Sequence, residues 1–197
     1  HAAKWIELPL IQRLEAIVYD TRLSLTMPRT LDPRIVILDI DEKSLAEKEK
    51  GGEGRWPWPR DRLALMLDKL FDHYHIAIVG FDVVFAERDE SSGLRVLEQL
   101  AQKELRDVGG FQSALQRLQP QLDYDAIFAN RMRNRAVVLG YTFTRDDEKA
   151  GTKKGLLPPP VLAPGTFAGK NIGFPAYPSH TANLQVLQES ADRKSVV

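Results

Sequence analysis

Three aspartates sit where apolar runs of the sequence end. Asp39 and Asp41 close the run Arg34–Ile40, and Asp82 closes Ile76–Phe81. If the two runs are neighbouring strands of a parallel sheet, their carboxyl ends share an edge, where α/β folds bind ligands. With Glu42 or Glu87 close by, these carboxylates would offer the hard oxygen ligands that Mg²⁺ and Ca²⁺ prefer. Asp39, Asp41 and Asp82 are therefore the candidate metal ligands, and a metal-assisted hydrolase is the enzyme they would suit. The plainer alternative is that each caps a turn or pairs with Arg60 or Arg62, since structural ion pairs gather at such edges too.

The string Trp56-Pro57-Trp58-Pro59-Arg60 is the other candidate. Its prolines fix the backbone and so present two indoles rigidly beside Arg55 and Arg60. Such a surface can recognise a ligand or cage a cation. It can equally pack over the start of a helix, as tryptophan usually packs. Asp41, Trp58, Arg60 and Asp82 form the candidate ligand site.

Other motifs carry less. The glycine loop Gly51-Gly52-Glu53-Gly54 lacks the Gly-Lys-Ser/Thr ending of a phosphate-binding loop. His73 and His75 flank a turn with no further ligand in sequence reach, and His180 is isolated. Arg131, Arg133 and Arg135 would meet a phosphate, or would complement a helix C-terminus and the acidic segments around it. No nucleophile elbow, zinc-protease helix or kinase signature is present. Nothing assembles a catalytic set, and no cofactor is expected.

The chain has 197 residues, 43% hydrophobic and 27% charged, which suits one soluble domain with a real core. Lys+Arg and Asp+Glu each total 27, so no overall field draws nucleic acid, and no nucleic-acid partner is expected. With no cysteine, disulfides and thiolate chemistry are excluded. The first residue is His1 instead of Met, which leaves room for a membrane segment upstream. Residues 192–197 are expected to be a non-native tail, because Asp-Arg-Lys-Ser-Val-Val resembles a translated sequencing-adapter oligonucleotide.

The elements that must position these groups follow from hydrophobic periodicity. Residues 8–25 carry Leu10, Leu14, Ile17, Val18 and Leu25 near a helical stripe. Arg34–Ile40 reads as a strand covered on both faces. Leu63, Met66, Leu67, Leu70 and Phe71 mark a helix opened by Pro59, and Ile76–Phe81 a second buried strand. Strand, helix and strand in this order predict a right-handed βαβ unit. Helices are expected through Leu94–Ala101, Phe111–Leu118 and 122–133, then a third strand at Ala136–Phe143 and a Pro/Gly-rich loop over 144–170. The expected fold class is α/β, three-layered with a mainly parallel, incomplete sheet, preceded by a long N-terminal helix.

In this order the strings resemble the CHASE-type sensor family, type two (cyclase and histidine-kinase associated sensory extracellular domains). The likeness spans about residues 8–191 and rests on Tyr19-Asp20-x-Arg22, Asp32-Pro33-Arg34-Ile35-Val36-Ile37 and Ile40-Asp41-Glu42-x-Ser44-Leu45. Trp56-Pro57-Trp58-Pro59-Arg60 and Gly80-Phe81-Asp82-x-x-Phe85-x-Glu87 are its most specific parts. Asp123-Tyr124-Asp125-x-x-Phe128-Ala129, Val137-Val138-Leu139-Gly140, Leu157-Pro158-Pro159-Pro160 and Asn183-Leu184-Gln185-x-Leu187-Gln188 continue it. Similar proteins go on with a Gly-Phe-x-Asn strand and an Asp-Gly-x-x-Arg-Arg turn; neither occurs after Ala191, so the sheet is expected to lack strands.

The resemblance implies an extracytoplasmic sensory domain, not itself an enzyme, of a bacterial membrane-anchored protein. Its output would be a class III adenylate or guanylate cyclase, or else a kinase. Residues 1–26 would be a juxtamembrane helix and 27–191 a partial sensor domain. The partner would be a signal ligand or an envelope component. A structural module that dimerises its parent is the further alternative.

Overall fold

The computed structural model describes residues 9–27, 31–47, 51–144, 151–160, 162–163, 165–169 and 177–191. The expected tail at 192–197 lies outside them. The chain divides into two units, His1–Ser44 and Leu45–Val197.

In the first unit, α1 runs over Pro9–Thr26. The hydroxyls of Thr21, Ser24 and Thr26 donate to the carbonyls four residues back, at 2.7, 2.8 and 2.8 Å, and so are satisfied on the helix's own backbone. The strand expected at Arg34–Ile40 is not formed. Its residues join no ladder, and Ile35, Val36 and Ile37 are 75%, 81% and 89% exposed. A β-branched run makes a strand only where a neighbour supplies hydrogen bonds and cover, and no described segment does so here. The βαβ unit expected to start with it is therefore absent among the described residues.

The second unit carries the core. Helix α2 (Arg60–Asp68) continues into a π-helical turn, Lys69–His73, and leads to strand β1 (Val79–Phe81). β1 is shorter and less covered than its sequence suggests, with Ile78 63% exposed. Helices α3 (Leu94–Gln102), α4 (Gly109–Leu122) and α5 (Tyr124–Met132) follow. α5 starts where the Asp123 carboxylate accepts the Ala126 N–H at 3.0 Å, a standard N-cap. Strand β2 (Val137–Leu139) then pairs in parallel with β1, Val79 opposite Val137 and Phe81 opposite Leu139.

The expected third strand is in fact two. It breaks at Gly140-Tyr141, and β3 (Thr142–Thr144) enters another sheet. There β5 (Ser179–Thr181) lies between β3, antiparallel, and β4 (Lys153–Lys154), parallel. Gly140 stands at the break because a Cβ would lie 3.2 Å from the Phe81 carbonyl oxygen, which also accepts the Gly140 N–H. Gly155, after β4, has φ +80° and a Cβ there would run into the Ala182 carbonyl. Helix α6 (Gln185–Ser190) completes the unit. The mixture of helix with small sheets is of the α/β kind.

Leu63 and Leu67 of α2, Phe128 and Met132 of α5, Val137 of β2 and Leu187 of α6 are all at most 1% exposed and form one cluster. Phe81, Phe85 and Phe128 meet edge to face, with centroids 5.4–5.8 Å apart. That is the favoured geometry of aromatic quadrupoles. Arg135 closes the far end of the helix pair, donating to Asp68 and Asp72 at 2.8 Å while its guanidinium lies over Phe71. With Arg131 also on Asp68, the ion-pairing reading holds for these two arginines.

Phe128→Ala removes the ring that meets both other phenylalanines at the centre of the core. It should cost about 3–5 kcal/mol, read as a lower denaturant midpoint at unchanged slope. A loss below about 1 kcal/mol would mean that the aromatic cluster is loosely packed.

Candidate functional site

The chain bends at 55–57, where the Trp56–Pro57 peptide is cis, and Pro59, at φ −52° and ψ 140°, leads it into α2. The Trp58 indole N–H donates to the Gly54 carbonyl at 2.8 Å, so the glycine loop serves as its acceptor. The Trp56 ring leans on it, centroids 5.9 Å apart and planes tilted by 59°. The two indoles thus form a fixed wall immediately before Arg60.

Arg60, first residue of α2, is the hub. Its backbone N–H donates to Asp89 Oδ2 at 2.6 Å, and its Nη2 donates to the Glu87 carbonyl at 2.7 Å. Its guanidinium lies 4.7 Å from the centre of the Phe85 ring. Its Nε stands 3.2 Å from Asp125 Oδ1, with side chains only 11% and 9% exposed. The N–H is not aimed at that oxygen, so the two charges attract without a hydrogen bond. Asp125, in the first turn of α5, is placed where a helix dipole favours an anion. Its other oxygen accepts the Asp89 N–H at 2.9 Å.

Burial dominates the electrostatics of this pair. It pushes the Asp125 carboxyl above its ordinary value, against the pull of the Asp89 N–H and the Arg60 charge. It lowers the Arg60 guanidinium from its usual value, with Asp125 and Asp89 opposing. Nearer the solvent, Glu87 is lowered by its hydrogen bond from Lys154 at 2.6 Å.

The segment between β1 and α3 is fastened from beneath by Asn183, which is fully buried. Its Oδ1 accepts the Phe85 N–H at 2.8 Å and its Nδ2 donates to the Gly140 carbonyl at 3.0 Å. The Leu184 N–H in turn donates to the Phe85 carbonyl at 2.8 Å. Between the tryptophans and this segment lies a cleft of about 390 Å³, floored by Val83, Val84 and Phe85 and rimmed by Arg88 and Glu90. A smaller hollow of about 50 Å³ shares Asp89 and Glu90 with it and adds Asp123 and Asp125.

Of the residues singled out in the sequence, Trp58 and Arg60 meet at this cleft. Asp39 and Asp41 are exposed members of the first unit, and Asp82 is an exposed member of the second. Asp41 makes a local turn, in which its Oδ1 accepts the Ser44 N–H and hydroxyl at 2.8 and 2.7 Å, and these bonds lower its carboxyl. Among the described residues no three His, Cys, Asp or Glu side chains are grouped to hold a metal ion. Asp89, Asp125 and Asn183 were missed as site residues. Their partners lie 29, 36 and 98 residues away, beyond any local pattern.

Fold and cleft together define a mixed α/β domain with a recess of small-molecule size. The chain belongs to the CHASE2 domain family, whose model matches residues 2–192. That family is one of extracellular, sensory and non-catalytic domains, which makes this a sensory domain and supports an extracytoplasmic location. Comparison with curated proteins and with solved structures gave no match. No helix of the described residues is long and apolar enough to cross a membrane.

Asp125→Asn keeps the shape of the protonated carboxyl and the acceptor for the Asp89 N–H, so variant and wild type should be close in stability at acid pH. Because burial raises the Asp125 carboxyl, its own contribution is greatest when protonated, below its unfolded value near 3.8, and is lost as pH rises through the higher folded value. Wild type should therefore lose stability relative to the variant from acid towards neutral pH. A gain instead would show that Arg60 outweighs burial.

Proposed function

We propose that the domain is the signal-input module of a bacterial transmembrane signalling protein, on the outer face of the cytoplasmic membrane. The observation that carries this reading is the family match across nearly the whole chain. The output in this reading is a cytoplasmic class III nucleotide cyclase, and the parent is membrane-anchored on the α1 side. In the same reading β1 and β2, which run in parallel register, belong to a mainly parallel, three-layered sheet.

The Trp56–Ser91 cleft is the proposed place where the signal is read, with Trp58 and Arg60 as its residues. It is supported by size and by construction: its walls come from segments distant in sequence and locked by buried polar contacts. A ligand that fits one arrangement of those segments better than another shifts their equilibrium, and with it the output. Asp41, in the first unit, and Asp82, after β1 in the second, lie outside the cleft wall and are proposed as separate candidate residues.

The test is cyclic-nucleotide output from the full-length parent in membranes. Trp56→Ala, at a residue already 38% exposed, should leave folding intact and change the response to signal about fivefold or more. Asp82→Ala and Asp41→Ala are examined separately in the same assay. If one of them alone changes output, the signal is read at that residue; if no variant does, the cleft is not the sensor.

A further inference from the structure

We propose that the cleft takes a small monoanionic carboxylate on a flat apolar body, bound through the Arg88 guanidinium and the Trp56 indole N–H. The proposal rests on the cleft being the signal site and names the class of ligand it would take.

Hydrogen-bonding capacity along the cleft wall points to this class. Every acidic side chain of the wall is already engaged. Glu87 takes Lys154 at 2.6 Å, and Glu90 takes Arg95 at 2.9 Å. Asp89 accepts the Arg60 and Ser91 N–H groups at 2.6 and 2.8 Å. Arg60 is held by the Glu87 carbonyl and Asp125, and the Trp58 N–H by Gly54. Two side chains of the wall, Arg88 and Trp56 at its indole nitrogen, have no hydrogen-bond or ion-pair partner among the described residues; the Arg60 Nε also lacks a hydrogen bond but stands against Asp125. All three are donors, so the complementary ligand is an acceptor.

Charge and shape narrow it further. A guanidinium matches a carboxylate through two parallel hydrogen bonds. Glu87, Asp89 and Glu90 stand in the same wall, so a dianion meets more repulsion there than a monoanion. The exposed Trp56 face and the Val83–Val84 floor offer a flat, apolar bed for the rest of the molecule. Two tilted indoles also suit a cation, but the carboxylates that would second it already hold Lys154, Arg95 and two backbone N–H groups. The cation is thus the competing outcome.

The probes are benzoate, phenyl phosphate and benzylamine, titrated calorimetrically into the purified chain at millimolar concentration. Benzoate should bind more tightly than either other probe, and Arg88→Gln should weaken it about tenfold, the loss of one charge-assisted contact. Arg88 is exposed, so this variant keeps the fold, and Arg88→Lys should restore part of the affinity. Equal or tighter binding of benzylamine or phenyl phosphate, or benzoate binding indifferent to Arg88→Gln, would overturn the ligand class while leaving the cleft as the sensor. Absence of binding by all three probes would also overturn it, and the output of the parent's Trp56→Ala variant then decides separately whether the cleft senses at all.

Discussion

The buried attraction between Arg60 and Asp125 is the constraint on which the second unit is arranged. Both residues open helices, α2 and α5, and these helices contribute the most deeply buried side chains of the core. Placing opposite charges at the two N-termini fixes how the helices align, since each charge offsets part of the other's burial cost only when the two are close. The far end of the same helix pair is pinned by Arg135 on Asp68 and Asp72. Apolar packing between Leu63, Leu67, Phe128 and Met132 then supplies the stabilisation, while the ion pairs set the register in which it occurs.

The cleft is a consequence of that arrangement. Arg60 and Asp125 each carry a second contact to the segment after β1, to the Glu87 carbonyl and the Asp89 N–H. Asn183 holds the start of that segment from the opposite direction through Phe85. A loop tied at Phe85, Glu87 and Asp89 cannot collapse onto the tryptophans, and the space between is kept open. Buried polar groups of this kind are costly unless fully satisfied. Asn183 meets the condition with partners on both its amide oxygen and nitrogen.

What could be read along the chain was what is decided locally. The helical stripe Leu63–Leu67–Phe71 and the tryptophan–proline string act within a turn or two, and local pattern finds them. Helices α3 to α5 fall where their apolar spacing puts them. Strands fared differently, because a strand is completed by its neighbour. Arg34–Ile40 has the right composition and no ladder, and Ala136–Phe143 is one apolar run that two sheets divide at Gly140. The site shows the same limit. Trp58 and Arg60 stood out as a local string, whereas Asp125 and Asn183 acquire their roles only when distant segments meet.

The way the cleft is fastened also bears on how a sensor of this build would transmit a signal. Its floor, Val83–Phe85, continues directly from β1, so displacement of the floor is displacement of the parallel pair with β2. The same floor is bonded to the turn before α6 through Leu184, and the loop beyond it to α5 through Asp125. A ligand gripping the rim at Arg88 therefore acts one residue from the Asp89 contacts that join α2 and α5. Because a close-packed core deforms poorly, small shifts there are passed on as movements of whole helices. If the cleft is the signal site, coupling would run through the few hydrogen bonds at residues 85–89, the short segment that ties the floor of the cleft to α2, α5 and the turn before α6.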